Sequence, residues 1–339
     1  MPMNRPLKIM VVNTKFLGDL IVSTPALRFL KEEYPSSELI LIVRKEYRKA
    51  FENFPYIDRI IPFDTELKHK KGLTALKRGF DFILKLRKEK PDVFIALHPG
   101  DRLALWAYFS GAILRIAPKK QTFSFLINKK IDVNEDSIKY IDYYNRIVEH
   151  GNKRVKSNTT EFFVPDEDVL WAENFLRENN FKDGEFLIVH PGASEKSKVW
   201  QIDNYIELIE KLLAECNNKI LILAGPQDEE YCNMISEKFN DKNLVVYKSG
   251  SVTKSAALIK KSKLLIDNDT GTRHLGAALG VKILALLPED NLDYWNFYDG
   301  VNHDFIVGKR IKDGEKSYLG GIDVETVFKK TVDLVGGKR

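Results

Sequence analysis

Short, continuous apolar runs rich in Ile, Val and Leu recur along this chain, each separated from the next by a longer stretch with helical spacing. The clearest runs are 8–13, 38–43, 92–97, 186–190, 219–224, 243–247, 263–268 and 282–287. A strand that is apolar at every position is buried on both faces, the pattern of a parallel sheet covered by helices on either side. The alternation therefore predicts an α/β fold. The pattern runs to about residue 118, lapses, and restarts near Phe186, which fits two doubly wound units better than one enlarged sheet. A length of 339 residues suits two domains. Residues 152–160 are polar and aperiodic, and Pro165 opens a new helical pattern. The linker is expected at 152–165, between a first domain at 1–155 and a second at 165–339. A last amphipathic segment, 324–334, ends before Gly336-Gly337.

Composition narrows the function classes. Hydrophobic residues make up 44% of the chain, enough for real cores and too many for a disordered protein. No apolar run approaches the ~18–20 residues of a membrane span, and residues 7–13 read as a buried first strand, so no signal peptide is expected. Cys216 and Cys232 form neither a disulfide framework nor a metal-ligand spacing, and they suit a reducing compartment. The expectation is a cytoplasmic protein. A net charge of +5 is mild, and no basic, aromatic-interleaved motif points to nucleic acid as a partner.

In doubly wound folds ligands sit at the carboxyl ends of the strands, so residues just after strands carry the most information. Three such positions stand out. The first is Asn13-Thr-Lys-Phe-Leu-Gly-Asp19, where Gly18 permits a close turn and Asp19 presents a carboxylate. Asp19 fits either a helix cap or a catalytic group, and Thr24-Pro25 offers a second helix start with Thr24 as cap. The second is His190-Pro-Gly-Ala-Ser-Glu-Lys-Ser-Lys-Val-Trp200. The turn containing Gly192 and Ser194 can hold a phosphate oxygen with its backbone N–H groups, and Lys198 is placed by the tryptophan that follows. The third is Asp267-Asn-Asp-Thr-Gly-Thr-Arg-His274, where a strand ends at Asp269-Thr270-Gly271 and a helix begins at once. Its N-terminus and dipole favour an anionic ligand. An acidic cluster after a further strand, Gly225-Pro-Gln-Asp-Glu-Glu230, suits either ribose hydroxyls or a dipole-favoured first helical turn.

In order and spacing these motifs resemble glycosyltransferase family 9, the heptosyltransferase family. The resemblance runs from Gly18-Asp19 and Thr24-Pro25-Ala26-Leu27 through 91–98 and Ser110-Gly111-Ala112. It continues through His190-Pro-Gly-Ala, Lys198-Val-Trp200, Gly225-Pro226 and Asp269-Thr-Gly-Thr-Arg-His274. It implies a GT-B fold, two Rossmann-like doubly wound domains facing across a cleft, with the acceptor on the N-terminal domain and the nucleotide-sugar donor on the C-terminal one. It further implies inversion at the anomeric carbon without a metal or other cofactor, an ADP-heptose donor and a lipopolysaccharide-core or other lipid-linked saccharide acceptor. Position by position, Asp19 matches the general base and Lys198 the lysine that neutralises the donor diphosphate. Asp269, Thr270, Gly271 and His274 match the donor motif, with Gly192 and Ser194 beside it. Asp228 matches the acidic residue on the donor ribose, and Glu229 is the neighbouring alternative. Lys15, Asp101 and Arg102 are the acceptor-side candidates. Two departures fall near the expected donor pocket: Leu286-Leu-Pro-Glu-Asp290 replaces the common Phe-Gly or Tyr-Gly pair, and Arg273 stands where many members carry a small or apolar residue.

Elementary chemistry agrees with these roles. Glycosyl transfer from a nucleoside diphosphate needs one group to take a proton and others to stabilise the departing diphosphate. Asp267-Asn-Asp269 resembles a metal-binding pair, but Lys198 and the helix N-terminus can substitute for a metal. An exposed Asp19 would keep an ordinary pKa of about 3.9 and be a weak base, so if it is the base, closure of the cleft is expected to raise its pKa by desolvation. The stretch 68–90 is rich in Lys and Arg, with an apolar stripe of Leu73, Leu76, Phe80, Ile83 and Leu84. It reads either as a core-facing helix with a solvated basic face, or as a peripheral contact with the inner membrane or a phosphorylated saccharide. Other functions compatible with the fold class are a transferase using a UDP- or GDP-sugar, a nucleotide-sugar epimerase and a non-enzymatic sugar-binding protein. A nicotinamide enzyme would need Gly-x-Gly-x-x-Gly after the first strand, and residues 13–19 hold a single glycine.

Overall fold

The apolar runs of the first half become the strands β1 (Lys8–Val12), β2 (Glu38–Arg44), β3 (Arg59–Phe63), β4 (Val93–Ala96), β5 (Leu114–Pro118) and β6 (Lys129–Ile131). They form one parallel sheet in the order β3-β2-β1-β4-β5-β6. The computed structural model describes residues 5–65, 73–133, 138–225, 228–298 and 302–336. The chain divides into two units, Met1–Phe163 and Val164–Arg339.

The second unit holds β7 (Phe186–His190), β8 (Lys219–Ala224), β9 (Leu244–Lys248), β10 (Leu264–Asn268), β11 (Ile283–Pro288), β12 (His303–Asp313) and β13 (Lys316–Gly320). Their order is β13-β12-β11-β10-β7-β8-β9, parallel except for the terminal hairpin β12–β13. Both units thus share the Rossmann strand order. In each, the order reverses beside the first strand, at β1/β4 and at β7/β10. A crevice opens at the carboxyl ends of the strands flanking that reversal.

Burial follows the sequence pattern. All five residues of β7 and all five of β10 are buried. Each buried Leu, Ile or Val contributes about 1.5–3 kcal/mol. That margin lets β10 end in Asp267 and Asn268, both fully buried, provided their polar atoms are hydrogen-bonded.

Three sequence expectations change. The first unit continues past 155: Thr160 is buried, the Phe162 ring packs edge-on against Phe54 at 5.8 Å, and Glu161 pairs with Arg28 at 2.8 Å. The polar stretch from 156 is therefore held on that unit by side-chain contacts that hydrophobic periodicity does not register. At the second helix start, Ser23 is the N-cap, Thr24 the first helical residue and Pro25 the second, so the helix begins one residue earlier than expected. In the helix Leu73–Lys88, Leu86 is buried and Phe82 and Ile83 pack with it on the core, whereas Phe80 and Leu84 are exposed. Positions 82, 83 and 86 share one helical face and 80 and 84 the opposite one, so the apolar residues split between two faces. Lys68, Lys70 and Lys71 lie outside the described residues.

Candidate active site

In the first unit the β1/β4 reversal places Asn13–Asp19 beside His98. Asn13 is fully buried and fixes the turn: its Nδ2 donates to the Asp19 carbonyl at 3.3 Å and to Ser23 Oγ at 3.2 Å. The Thr14 N–H donates to His98 Nε2 at 3.2 Å, and His98 Nδ1 lies 3.0 Å from the Pro99 carbonyl. That network assigns the His98 proton to Nδ1. The carboxyl ends of the two central strands are thereby tied together.

Asp19 is the third residue of the helix Leu17–Val22 and is only 7% exposed. The Phe16 N–H donates to its Oδ2 at 3.3 Å, so Asp19 does cap its helix. Its Oδ1 accepts from Tyr144 Oη at 2.7 Å and lies 3.8 Å from Lys15 Nζ. Burial pushes the Asp19 carboxyl above its ordinary value, opposed by the Lys15 charge and the Tyr144 hydrogen bond. An exposed carboxylate is therefore not what this unit presents, because Tyr144 on the helix Tyr140–Val148 covers it. The Lys15 ammonium also sits 5.2 Å over the Tyr140 ring. Asp101 and Arg102 open the helix after β4, exposed, with the Arg102 guanidinium 5.4 Å over the Phe63 ring.

In the second unit the β7/β10 reversal joins the His190 loop to 267–274. Asn268 clamps the loop: its Nδ2 donates to the carbonyls of Pro191 and Gly192, each at 3.0 Å, and its Oδ1 accepts from the Trp200 N–H at 3.1 Å. Trp200 is fully buried, donates Nε1 to the Ile322 carbonyl at 3.0 Å and packs on Tyr205. Lys198, two residues earlier, is thus carried on a fixed backbone.

His190 lies between two carboxylates, with Nδ1 at 2.7 Å from Asp267 and Nε2 at 3.4 Å from Asp228. Burial alone would lower its pKa, but the two carboxylates push it up to about 10. Asp228 Oδ2 also accepts from the Gly225 N–H at 2.8 Å, and burial leaves the residue 6% exposed. A Cβ on Gly192 would lie 2.0 Å from Asp228 Oδ1, so the carboxylate occupies the space a side chain would need. The residue expected to face a ribose is thus turned inward onto His190 and Gly192. Its neighbour Glu229 opens the helix Glu229–Lys238 and pairs with Lys248 at 3.6 Å. Pro226 and Gln227 lie outside the described residues.

At the head of the helix Gly271–Ala278, Thr270 caps the Thr272 N–H at 3.0 Å and donates to Asp267 Oδ2 at 2.8 Å. Its hydroxyl is committed within the protein. Asp269 receives Arg273 at 2.8 Å and Lys198 at 3.1 Å, and these cations hold its carboxyl far below the usual carboxylate range. His274 Nδ1 meets Tyr298 Oη at 2.6 Å; burial, with Arg273 adjacent, keeps its pKa well below the ordinary imidazole value. One carboxylate facing two cations, with a neutral imidazole beside them, leaves one surplus positive charge at a helix N-terminus. Asp267 and Asp269 point to different partners, and among the described residues no cluster of three His, Cys, Asp or Glu has a metal-binding arrangement. Ser194 is exposed on the same loop.

The pattern of glycosyltransferase family 9 (heptosyltransferase) matches residues 82–306. The chain belongs to glycosyltransferase family 9. It is 27% identical over 286 residues to lipooligosaccharide heptosyltransferase 2 of Campylobacter jejuni, covering 83% of this chain and 80% of that one. A family 9 glycosyl transferase from Veillonella parvula superposes with a TM-score of 0.81 at 23% identity, covering 98% and 97% of the two chains. The Escherichia coli ADP-heptose LPS heptosyltransferase II gives 0.78 at 18% identity, covering 97% and 98%.

The protein is a glycosyltransferase of GT-B fold. Within this family 9 chain, Arg273, noted as a departure, is fully buried and serves as the ion-pair partner of Asp269. Sequence reasoning singled out neither Tyr144 nor Asn268. Tyr144 is 125 positions from Asp19 and carries no local signal. Asn268 did carry one, a polar residue ending an apolar strand, where burial demands a full set of partners.

Proposed function

We propose that this family 9 enzyme transfers a heptose, with inversion and without a metal, from ADP-heptose to a lipopolysaccharide-core saccharide. The observation that carries the reading is the pair of strand-order reversals, one presenting a buried carboxylate and the other a surplus cation at a helix N-terminus. Asp19 takes the proton of the acceptor hydroxyl as its oxygen bonds to the anomeric carbon. The bond from that carbon to the diphosphate oxygen breaks with its electron pair, and ADP leaves. Its developing charge is met by Lys198 and the N–H groups at Gly271, the tasks a divalent cation performs elsewhere. The names of the E. coli and C. jejuni relatives supply the sugar and the acceptor class.

Two measurements test the reading. A thermal-shift panel of ADP, UDP, GDP and CMP, each with magnesium and with EDTA, reads the donor. A ligand at about 100 times its Kd adds about 2.7 kcal/mol, a shift of roughly 2–4 °C. An ADP-selective shift that survives EDTA is expected; selectivity for UDP or GDP moves the donor, and no shift with any nucleotide removes the donor site. The variant Asp19→Asn should then keep the ADP shift while transfer falls by about 10²–10⁴. Equal loss of both would sink Asp19 as the base.

A further inference from the structure

Strand β12 outruns the sheet it belongs to. Its parallel pairing with β11 ends at Gly308, and residues 309–313 continue past the carboxyl end of β11, where they pair with β13. The hairpin is tight at its root: a Cβ on Gly308 would lie 2.7 Å from the Gly320 carbonyl.

This hairpin stands against the turn that carries Lys198. The Leu319 N–H donates to the Val199 carbonyl at 2.8 Å, and Trp200 and Leu319, both fully buried, form a parallel β-bridge. Within the turn the Lys198 N–H donates to the Glu195 carbonyl at 3.0 Å, so the backbone at Lys198 follows Glu195.

Arg310 grips two segments at once. Its Nη1 donates to Glu195 Oε2 at 3.3 Å and to Ser197 Oγ, on either side of Lys196. Its Nε donates to both carboxylate oxygens of Asp290, at 3.0 and 2.9 Å. Asp290 lies in the turn after β11 beside Asn291, whose Nδ2 donates to Asp269 Oδ2. Lys198 Nζ reaches that same oxygen at 3.1 Å. Two turns from different strands thus converge on one oxygen of Asp269, and the Arg310 guanidinium ties the two turns together.

Stability does not account for this arrangement. The Glu195 and Asp290 side chains are 60% and 61% exposed, and ion pairs to such exposed carboxylates add little to folding. A planar guanidinium fork supplies geometry instead, fixing its partners relative to one another as the point charge of a lysine does not. A cation that meets a leaving group has to be held within about 0.5 Å of its productive place.

We propose that Arg310 is a positioning residue for Lys198: by holding Glu195 and Ser197 against Asp290, it sets where the Lys198 ammonium meets the donor diphosphate. This role rests on the donor site proposed above.

Titration of the full chain with ADP and with adenosine tests it, because only ADP carries the phosphates that Lys198 meets. In Arg310→Gln, ADP affinity should fall roughly tenfold, as for a lost charge-assisted contact, with adenosine affinity and melting temperature unchanged. Arg310→Lys keeps the charge without the fork and should show the same loss. In a Lys198→Ala background, Arg310→Gln should cost no more than about a further twofold, because one residue acting through another is not additive with it. Glu195→Gln/Ser197→Ala removes the contacts from the other side and should repeat the ADP loss, whether or not the arginine variants fold. Unchanged ADP affinity in Arg310→Gln, an equal loss for adenosine, full retention in Arg310→Lys, or an undiminished loss in the Lys198→Ala background each overturns the role of Arg310 and leaves the donor site standing. A wild type that binds no ADP removes the donor site and this role with it.

Discussion

Tyr144 Oη donates to Asp19 Oδ1 at 2.7 Å across 125 residues of sequence. Both groups are buried, so the hydrogen bond stabilises the carboxylate in a place where burial destabilises it. Tyr144 therefore sets how basic Asp19 is as well as where it points.

Removing that hydroxyl tests the balance. In Tyr144→Phe the hydrogen bond that lowers the Asp19 pKa is gone and the burial that raises it remains. The acid limb of kcat should move to higher pH, with activity on that limb reduced roughly tenfold for a lost charge-assisted bond. A pH–rate profile against wild type checks it. A uniform loss across pH, with no displacement of the limb, would reduce Tyr144 to packing.

Arg273 offers a second test, because among the described residues it and Lys198 are the cations paired with Asp269. In Arg273→Met the remaining pair Asp269–Lys198 is neutral, and the surplus positive charge disappears. Breaking a buried pair costs about 3–5 kcal/mol, so the variant is best studied cold and compared with Arg273→Met/Asp269→Asn. ADP affinity in the folded single variant should fall at least tenfold, about 1.4 kcal/mol. The double variant, in which Lys198 is again unpaired, should recover part of it. Unchanged ADP titrations would contradict the charge count.

The legibility of the site follows the range of the interactions that build it. Strands β7 and β8 were readable to the residue, because all but one terminal residue of each is apolar and buried. Strands β12 and β13 were not: half-exposed, carrying Lys309, Arg310 and Lys312, they form an edge hairpin turned by Gly314 at φ +58°. Strand β6 is three residues, Lys-Lys-Ile, too short for any period. Lys198 and 269–271 could be singled out in the sequence because they follow adjacent strands, and the structure brings Lys198 and Asp269 together. The burial of Asp19 could not be read there, since the group that covers it comes from a helix in the lapse of the pattern.

A third expectation concerns pH and His190. Its pKa rises from 6.5 unfolded to about 10 folded, raised by Asp267 and Asp228 against burial. The folded state then binds the proton more tightly than the unfolded one. The stability gained is fully present below pH 6.5 and drains away as pH climbs through about 10. Unfolding monitored at several pH values in that window should show the second unit losing on the order of a few kcal/mol. His190→Gln should be less stable at pH 6.5 and nearly flat across the window; a slope identical to wild type would place the titration elsewhere.

The contact between Gly192 and Asp228 reaches beyond the present sequence. Because the carboxylate fills the volume a methyl group at 192 would claim, the two positions cannot drift independently. An alanine at 192 must displace the Asp228 carboxylate, and displacing or shrinking it leaves His190 facing Asp267 alone. A change in the loop after β7 is therefore felt at residue 228 and, through it, at His190.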